Sequence, residues 1–305
     1  MPSNVTVEVE GRRLKLSNLD KVLYPETGFR KGEVIDYYVR IAHVLLPHIT
    51  DRPLTLLRYP DGVDGQSFFE KNVSRHAPDW VRTAEVPTPG SSKGAESLDF
   101  AIVQDLPTLV WVANLASLEL HVPQWVVGGA HGGRREPDLL VFDLDPGPPA
   151  TIVECCRVAD RLREYLEADG LDVYPKTSGS KGMQLYSPVQ VSNPAHTSEY
   201  AKSLAERLAA QTPNLVVARM TKALRKGKVF IDWSQNNPNK TTIAPYSLRA
   251  RSRPTVSTPL TWEEVSGCER VEDVTFVTDD VLARVEEHGD LFDGLLAADR
   301  PKLPQ

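Results

Sequence analysis

The stretch LLVFDLDPGPP, Leu139–Pro149, sets two acids at the end of an apolar run. Leu139 to Phe142 reads as a short buried β-strand, and the Pro-Gly-Pro turn after it is the punctuation that ends strands. Side chains alternate faces along a strand, so Asp143 and Asp145 share one face, roughly 7 Å apart at their Cα atoms. Unpaired, the two carboxylates would repel and one would hold a proton. A divalent cation removes that conflict, and hard cations such as magnesium or manganese take carboxylate oxygens. The competing reading is a solvated turn, because Asp before Pro or Gly is a common turn former. The DxD pattern alone does not decide between them.

At 305 residues, 41% hydrophobic and 25% charged, the chain has the make-up of a soluble globular protein able to bury one large core or two lobes. The N-terminus MPSNVTVEVEG has no apolar signal core, and no run approaches the roughly 18 apolar residues of a membrane span. A cytoplasmic protein with no membrane partner is expected. Cys155, Cys156 and Cys268 show no CxxC spacing and suggest neither a disulfide framework nor a zinc ribbon. The net charge of −6 argues against a surface that binds nucleic acid everywhere, since phosphate contacts need clustered Lys and Arg. Such clusters are local: Arg134 with Arg135, KALRKGK from Lys222 to Lys228, and SLRARSR from Ser247 to Arg253. The acids gather from Glu263 to Asp299. A basic cleft on an acidic body fits this pattern, although a solvated helix face is the ordinary meaning of any one charge run.

Working outward, VTVEVEGRRLKLSN predicts a hairpin turning at Glu10-Gly11, and KGEVIDYYVRIAHVLLPHI a helix with Val34, Tyr37, Tyr38, Ile41 and Leu45 on one stripe. PLTLLRYPDGVDGQSFFEK predicts two strands around a Gly-rich turn, and Val86 to Ser97 a polar loop. TLVWVANLASLELHV predicts a buried helix running into His121. Ile152 to Ala168 is an amphipathic helix that Gly170 should stop. LDVYPKTSGSKGMQLYSPV predicts strands on either side of Ser178–Gly182, followed by a helix from Ser198 to Gln211, a strand in KVFIDW, and broken helix from Asp279 to Ala297. Strands alternate with helices but several hairpins persist, so the fold class is α+β with mixed sheets. The expected organisation is one domain, residues 1–305, with 260–305 as a C-terminal helical appendage.

KVFIDWSQNN puts Asp232 at the end of a second hydrophobic strand, where a carboxylate is costly without a counter-charge. Its plain alternative is an ion pair with Lys222, Arg225 or Lys228. Three acids holding two metals can activate a hydroxyl nucleophile and stabilise the leaving oxygens of a phosphoryl transfer. SGSKG, Ser178 to Gly182, offers backbone amides, a hydroxyl and an ammonium suited to a triphosphate, or else a plain hairpin turn. Lys240 and Arg249 in KTTIAPYSLRAR follow the third acid, and Lys222, Arg225 and Lys228 precede it. Cations on both sides of a metal site are what a polyanionic substrate needs.

The ordered set DLDPG, KTSGSKG, KVFIDWSQN and KTTIAPYSLR closely resembles the polymerase domain of bacterial DNA ligase D and its stand-alone relatives in the archaeo-eukaryotic primase superfamily. The likeness runs from about Val5 to Arg253 through NLDKVLYPETGFRKGEV, RYPDG, FFEKN, APDW and LELHVPQW. It implies a primase-polymerase-like catalytic core of mixed β-sheets flanked by helices. It also implies that Asp143, Asp145 and Asp232 hold two divalent metal ions, manganese favoured and magnesium possible, with Asp232 helping to position the primer 3′-hydroxyl. His121, Ser178, Lys181, Lys240 and Arg249 would contact the nucleotide. Phe68 and Phe69 match an aromatic pair that stacks on bases, whereas pattern alone would bury one of the two. Asn18, Lys21 and Lys31 match residues that grip the 5′-phosphate of a downstream strand, and Arg225 lies in an active-site loop. One position departs: the family reads SGxxGxH where this chain has SGSKGMQ, so Gln184 stands in the nucleotide site in place of a phosphate-binding histidine; it can still donate one amide hydrogen bond but cannot become cationic, which implies weaker triphosphate binding and not an abolished site.

The implied function is template-directed nucleotidyl transfer preferring ribonucleotides, filling gaps and extending ends during bacterial non-homologous end joining. NTPs and dNTPs, DNA ends and gapped duplex with a 5′-phosphate, Ku and a DNA ligase are the implied partners, and a nucleoid-associated monomer the expected form. No KxDG nick-sealing motif occurs. Two rivals stay open. One is a haloacid-dehalogenase-type phosphohydrolase, in which DLD carries an aspartyl nucleophile, although its late acidic pair would have to be Asp279 and Asp280. The other is a DNA-end-binding module with weakened catalysis, suggested by Gln184 and opposed by the three acids.

Overall fold

The computed structural model describes residues 4–88, 96–128 and 133–304 of the chain. It opens with the hairpin of β1 (Asn4–Val9) and β2 (Arg12–Ser17), turning at Glu10 and Gly11, both at positive φ. A short ladder of β3 (Val22–Tyr24) and β4 (Phe29–Arg30) leads into α1 (Lys31–Ile49). Val34, Tyr37, Tyr38, Ile41 and Leu45 are all buried, so the stripe that makes the segment helical is also the face that packs. Next come β5 (Pro53–Arg58), β6 (Phe68–Glu70), β7 (Thr83–Pro87) and β8 (Ser97–Ile102). Of the polar loop expected between Val86 and Ser97, residues 89–95 lie outside the described residues.

The helix expected to run into His121 is divided instead. α2 (Leu106–Asn114) is capped by Asp105, which accepts from the Thr108 N–H at 2.9 Å. Ala116, at φ 58°, then turns the chain into β9 (Ser117–Val122). β9 is nearly buried along its whole length because it lies between two strands and under helices. Its sequence, SLELHV, does alternate polar and apolar residues, but the alternation follows without a break on the apolar run of α2 and is short enough to be read as the helix continuing.

After the ribbon of β10 (Val127–Gly128) and β11 (Gly133–Arg134) come β12 (Leu139–Pro146), α3 (Ile152–Ala168), β13 (Tyr174–Thr177) and β14 (Met183–Pro188). α3 ends just before Gly170 at φ 78°. α4 (His196–Gln211), β15 (Val216–Val217), β16 (Val229–Asp232), β17 (Thr242–Ile243), α5 (Trp262–Ser266) and α6 (Thr278–His288) complete the order.

The strands form two principal sheets, which makes the fold α+β. One runs β17-β9-β5-β8-β7 with β6 also paired to β5, and the other runs β13-β14-β12-β16-β15. The second is antiparallel except for β15 and β16. α1, α2 and part of α6 cover the first sheet, and α3, α4 and α5 cover the second. On β12 the alternation is explicit: Leu140, Phe142 and Leu144 enter the helix-covered core, while Leu139 and Val141 pack on Tyr186, Phe292 and Leu295. Each such apolar side chain contributes about 1.5–3 kcal/mol on burial. Asp143 and Asp145 continue the second face.

Residues beyond 260 enter both cores, with Leu260, Val265 and Leu303 in one and Val281, Leu282 and Val285 in the other. Arg300 meets Asp138 at 2.9 Å, and Arg52 grips the same carboxylate with two bonds of 2.8 Å. Asp290 accepts from His48 at 2.8 Å and from the Tyr246 hydroxyl at 2.7 Å. Among the described residues no helix is long and apolar enough to cross a membrane.

Candidate active site

Strand register assembles the site. Asp143 on β12 lies directly opposite Gln184 on β14 and Asp232 on β16, and Gln184 in turn lies opposite Lys176 on β13. Directly paired residues put their side chains on the same face about 4.5–5.5 Å apart. Lys176, Gln184, Asp143 and Asp232 therefore form one polar row across four strands. Asp145 sits two residues further along β12, exposed at the rim, whereas Asp143 and Asp232 are half-buried.

Loss of water around Asp143, followed by the charges of Asp145 and Asp232, drives its carboxyl well above the ordinary carboxylate range, against the hydrogen bond from Gln184 and the charge of Lys176. Asp145 is raised by displaced water and by Asp232, with Arg225 opposing. These are two acids that repel at close quarters and whose donors are hard oxygens, which is the donor chemistry a divalent cation matches. Asp143 and Asp145 thus fit such an ion. Asp232 is engaged otherwise: it accepts from the Ser234 N–H at 3.0 Å, the Ser234 hydroxyl, and Gln235 Nε2 at 3.0 Å. Its ion-pair partner is Lys240, at 3.7 Å, not the basic residues preceding it. Among the described residues no three acidic, imidazole or thiol side chains converge into a ready-made cage.

Gln184 is buried in the sheet, two residues after the SGSKG turn. Its amide donates to Asp143 Oδ1 at 2.9 Å, and its carbonyl accepts from the Tyr186 hydroxyl at 3.2 Å. The same hydroxyl lies 2.8 Å from Thr242 Oγ1, which joins the two sheets at this point. In the turn itself, Ser178 Oγ accepts from the N–H groups of Ser180 and Gly182, each at 3.3 Å, while Lys181 is exposed. A Cβ on Gly182 would collide with the Leu144 carbonyl oxygen, so only glycine lets the turn lie this close to the end of β12. Arg225 stacks its guanidinium 3.7 Å from the Phe230 ring centre, and its own carbonyl occupies the space that a side chain on Gly147 would need. The basic loop is thereby pinned against the DPGPP turn.

A second group lies on the first sheet. His121 pairs with Ile243, so β17 carries the chain from Lys240 to the histidine. His121 Nε2 is 2.9 Å from Glu119, and Arg249 Nη1 is 3.1 Å from the same carboxylate oxygen. Burial would push Glu119 up, but the His121 hydrogen bond, the Arg249 charge and the Ala250 N–H outweigh it and hold it below the usual range. Phe69 meets His121 edge-on at 6.5 Å. Phe68 and Phe69 are both exposed, at 46% and 51%, so neither is a core residue. They border a cleft of about 850 Å³ that Trp125, Arg134, Lys71 and Lys240 also line. The Nε atoms of Arg249 and Arg225 are buried without a hydrogen-bond partner among the described residues. Buried donors left open in this way suit an anionic ligand.

The third group is local. The Lys21 N–H bonds to the Asn18 carbonyl at 3.0 Å, and the Lys31 N–H to the Lys21 carbonyl at 2.8 Å. Lys21 Nζ meets Asp61 at 2.7 Å in the open, while Lys31 is buried and donates to the Ser17 carbonyl at 2.7 Å. Burial, then the charges of Lys21 and Arg58, lower Lys31 to about 8.

Sequence reasoning passed over Glu119, Lys176, Tyr186 and Gln235. Glu119 had a visible signal, an acid in an apolar strand two residues before a histidine and so on the same face. Gln235 is a local neighbour of Asp232, three residues on in KVFIDWSQNN, while Lys176 and Tyr186 are revealed only by pairing between strands.

A model of the family described as LigD, primase-polymerase domain, matches residues 30–292. The multifunctional non-homologous end joining protein LigD of Mycolicibacterium smegmatis is 45% identical over 290 residues, which are 95% of this chain and 37% of that protein. The multifunctional non-homologous end joining DNA repair protein LigD of Mycobacterium tuberculosis is 44% identical over 296 residues, 95% of this chain and 38% of that protein. The chain thus spans under two fifths of the length of these curated relatives. The solved polymerase domain from Mycobacterium tuberculosis ligase D, in complex with DNA, matches with a TM-score of 0.87 at 43% identity, covering 94% of this chain and 99% of that one. An α+β core with paired acids on its central strand, matched along nearly its whole length, places this chain in the LigD primase-polymerase domain family, a family of metal-dependent polymerases.

Proposed function

We propose that the chain is a template-directed nucleotidyltransferase that prefers ribonucleotides and fills gaps or extends ends in bacterial non-homologous end joining, alongside Ku and a DNA ligase. The observation that carries this reading is the pairing of Asp143 with Asp232, with Asp145 at the rim, beside a cleft lined by exposed aromatics and cations. Support also comes from the DNA complex of the matched polymerase domain.

Asp143, Asp145 and Asp232 would hold two divalent ions, manganese favoured, and Asp232 would turn from Ser234 and Gln235 to help position the primer hydroxyl. When bound, such ions activate the attacking hydroxyl and stabilise charge on the leaving oxygens. Lys181, Lys240 and Arg249 supply positive charge to the triphosphate, with Ser178 and His121 as further hydrogen-bonding contacts. Phe68 and Phe69 offer rings for base stacking, worth about 1–3 kcal/mol per base. Asn18, Lys21 and Lys31 receive the 5′-phosphate of the downstream strand. Gln184 acts through Asp143 and not on the triphosphate.

Primer extension with manganese on a gapped duplex bearing a 5′-phosphate tests the reading, with ribo- and deoxynucleotides compared in parallel. Asp143→Ala and Asp145→Ala should each abolish addition and leave DNA affinity within about twofold, because the DNA grip lies on other residues. Full activity in either variant would remove the site. DNA binding without addition by the wild-type protein would favour the end-binding reading.

A further inference from the structure

Glu119 is an acid in the middle of a central strand, with its side chain only 5% exposed. A carboxylate so far from water persists only where charged or hydrogen-bonding partners replace its hydration. Its partners are three: His121 Nε2 at 2.9 Å, Arg249 Nη1 at 3.1 Å, and the Ala250 N–H at 3.0 Å. The first two are the residues that the proposed function assigns to the nucleotide. They come from different segments, β9 and the stretch after β17, and one carboxylate oxygen joins them.

The contact constrains both groups. A histidine whose Nε2 faces a carboxylate has its ring plane set and turns its other nitrogen away. A guanidinium held at one terminal nitrogen keeps the rest of its rigid fork aimed in one direction. Arg249 Nε is buried and has no hydrogen-bond partner among the described residues, so part of that fork is left open. Glu119 itself is too enclosed, and too fully engaged, to meet a ligand.

We infer that Glu119 is a positioning residue for nucleotide binding, holding the His121 ring and the Arg249 guanidinium in one arrangement so that the incoming nucleotide meets both already oriented. This rests on the nucleotide reading of His121 and Arg249. Glu119→Gln keeps the size of the side chain but removes its charge and turns an amide donor toward groups that are themselves donors. Contacts made equally in the ground and transition states act on KM and not on kcat. The variant should therefore raise the KM for nucleotide roughly tenfold while changing kcat less than about threefold, with affinity for gapped duplex unchanged.

The test is steady-state nucleotide titration of wild type, Glu119→Gln, His121→Ala, Arg249→Ala, the His121→Ala, Arg249→Ala double variant and the triple variant, each with its melting temperature. The expected result is a raised KM in every single variant and no further effect of Glu119→Gln once His121 and Arg249 are gone. A wild-type KM in Glu119→Gln, with KM raised in His121→Ala and Arg249→Ala, would overturn the inference and spare the nucleotide site. Unchanged KM in both alanine variants would overturn the nucleotide reading and Glu119 with it. A fall in kcat that follows the melting temperature would assign Glu119 to structure alone. Should Glu119→Gln not fold, Glu119→Asp replaces it, with the charge kept but withdrawn and the same rise in KM expected.

Discussion

Lys31 shows how one side chain's surroundings set a measurable pH response. It is buried at the start of α1, beside Lys21 and Arg58, and titrates near 8 instead of at the ordinary lysine value. A terminal phosphate placed against it would favour the charged form, so binding above pH 8 must draw in a proton. The sign follows: below 8 the free protein already holds the charge, and above 8 phosphate binding works against deprotonation. Preference for a 5′-phosphorylated over an unphosphorylated gapped duplex should therefore decline from pH 7 to about pH 9.5. Lys31→Met should show a weaker preference that is flat across that range, the lost contact being worth on the order of 1.5–3 kcal/mol. Competition binding with the two duplexes reads both outcomes. A wild-type preference that does not change with pH would separate Lys31 from the phosphate.

At the scale of elements, what could be read from the sequence is what lies within one strand or turn. The DLD pair, the SGSKG turn and the end of KVFID are each local patterns, and each occupies the element expected. The Asp143–Asp232 pairing is a relation between residues 89 positions apart along the chain and depends on how β16 registers against β12. Gln184 stands out locally in SGSKGMQ, but its place beside Asp143 follows from the β14 register. The boundary between α2 and β9 was hidden for another reason, since the six alternating residues of SLELHV follow directly on the apolar run of α2 with no Gly or Pro between them. Gly182 is the joint between turn and row. Gly182→Ala should cost about 1–3 kcal/mol through overpacking against Leu144 and should reduce nucleotide addition by shifting the end of β12. Urea unfolding and primer extension check the two effects, and an unchanged midpoint would mean the turn relaxes freely.

Across the whole molecule, the residues beyond 260 enter the cores under both sheets. Burial alone would raise Asp290, but the hydrogen bond and charge of His48 and the bond from Tyr246 outweigh it and hold the carboxyl below the usual range. A group depressed in the folded state stabilises fully above its unfolded value, near 4, and the contribution is lost as pH falls through the folded value. Wild-type stability should thus drop as pH falls below about 4. Asp290→Asn should lose roughly 1.5–3 kcal/mol at pH 7 and less toward acid, the two proteins converging at low pH. Denaturant titrations at a series of pH values decide this, and parallel curves would show that the His48–Asp290–Tyr246 contact carries no charge-dependent stability.

The row of Lys176, Gln184, Asp143 and Asp232 makes chemistry depend on strand alignment. A slip of one residue by β14 or β16 would turn its polar member to the helix-covered side and bring an apolar neighbour into the gap. Such a chain could keep its helices, its compactness and most of its circular dichroism. It would hold no assembled row. Turnover recovered after refolding therefore counts only molecules whose four strands have found their alignment, and the shortfall between regained ellipticity and regained turnover measures mispaired sheet.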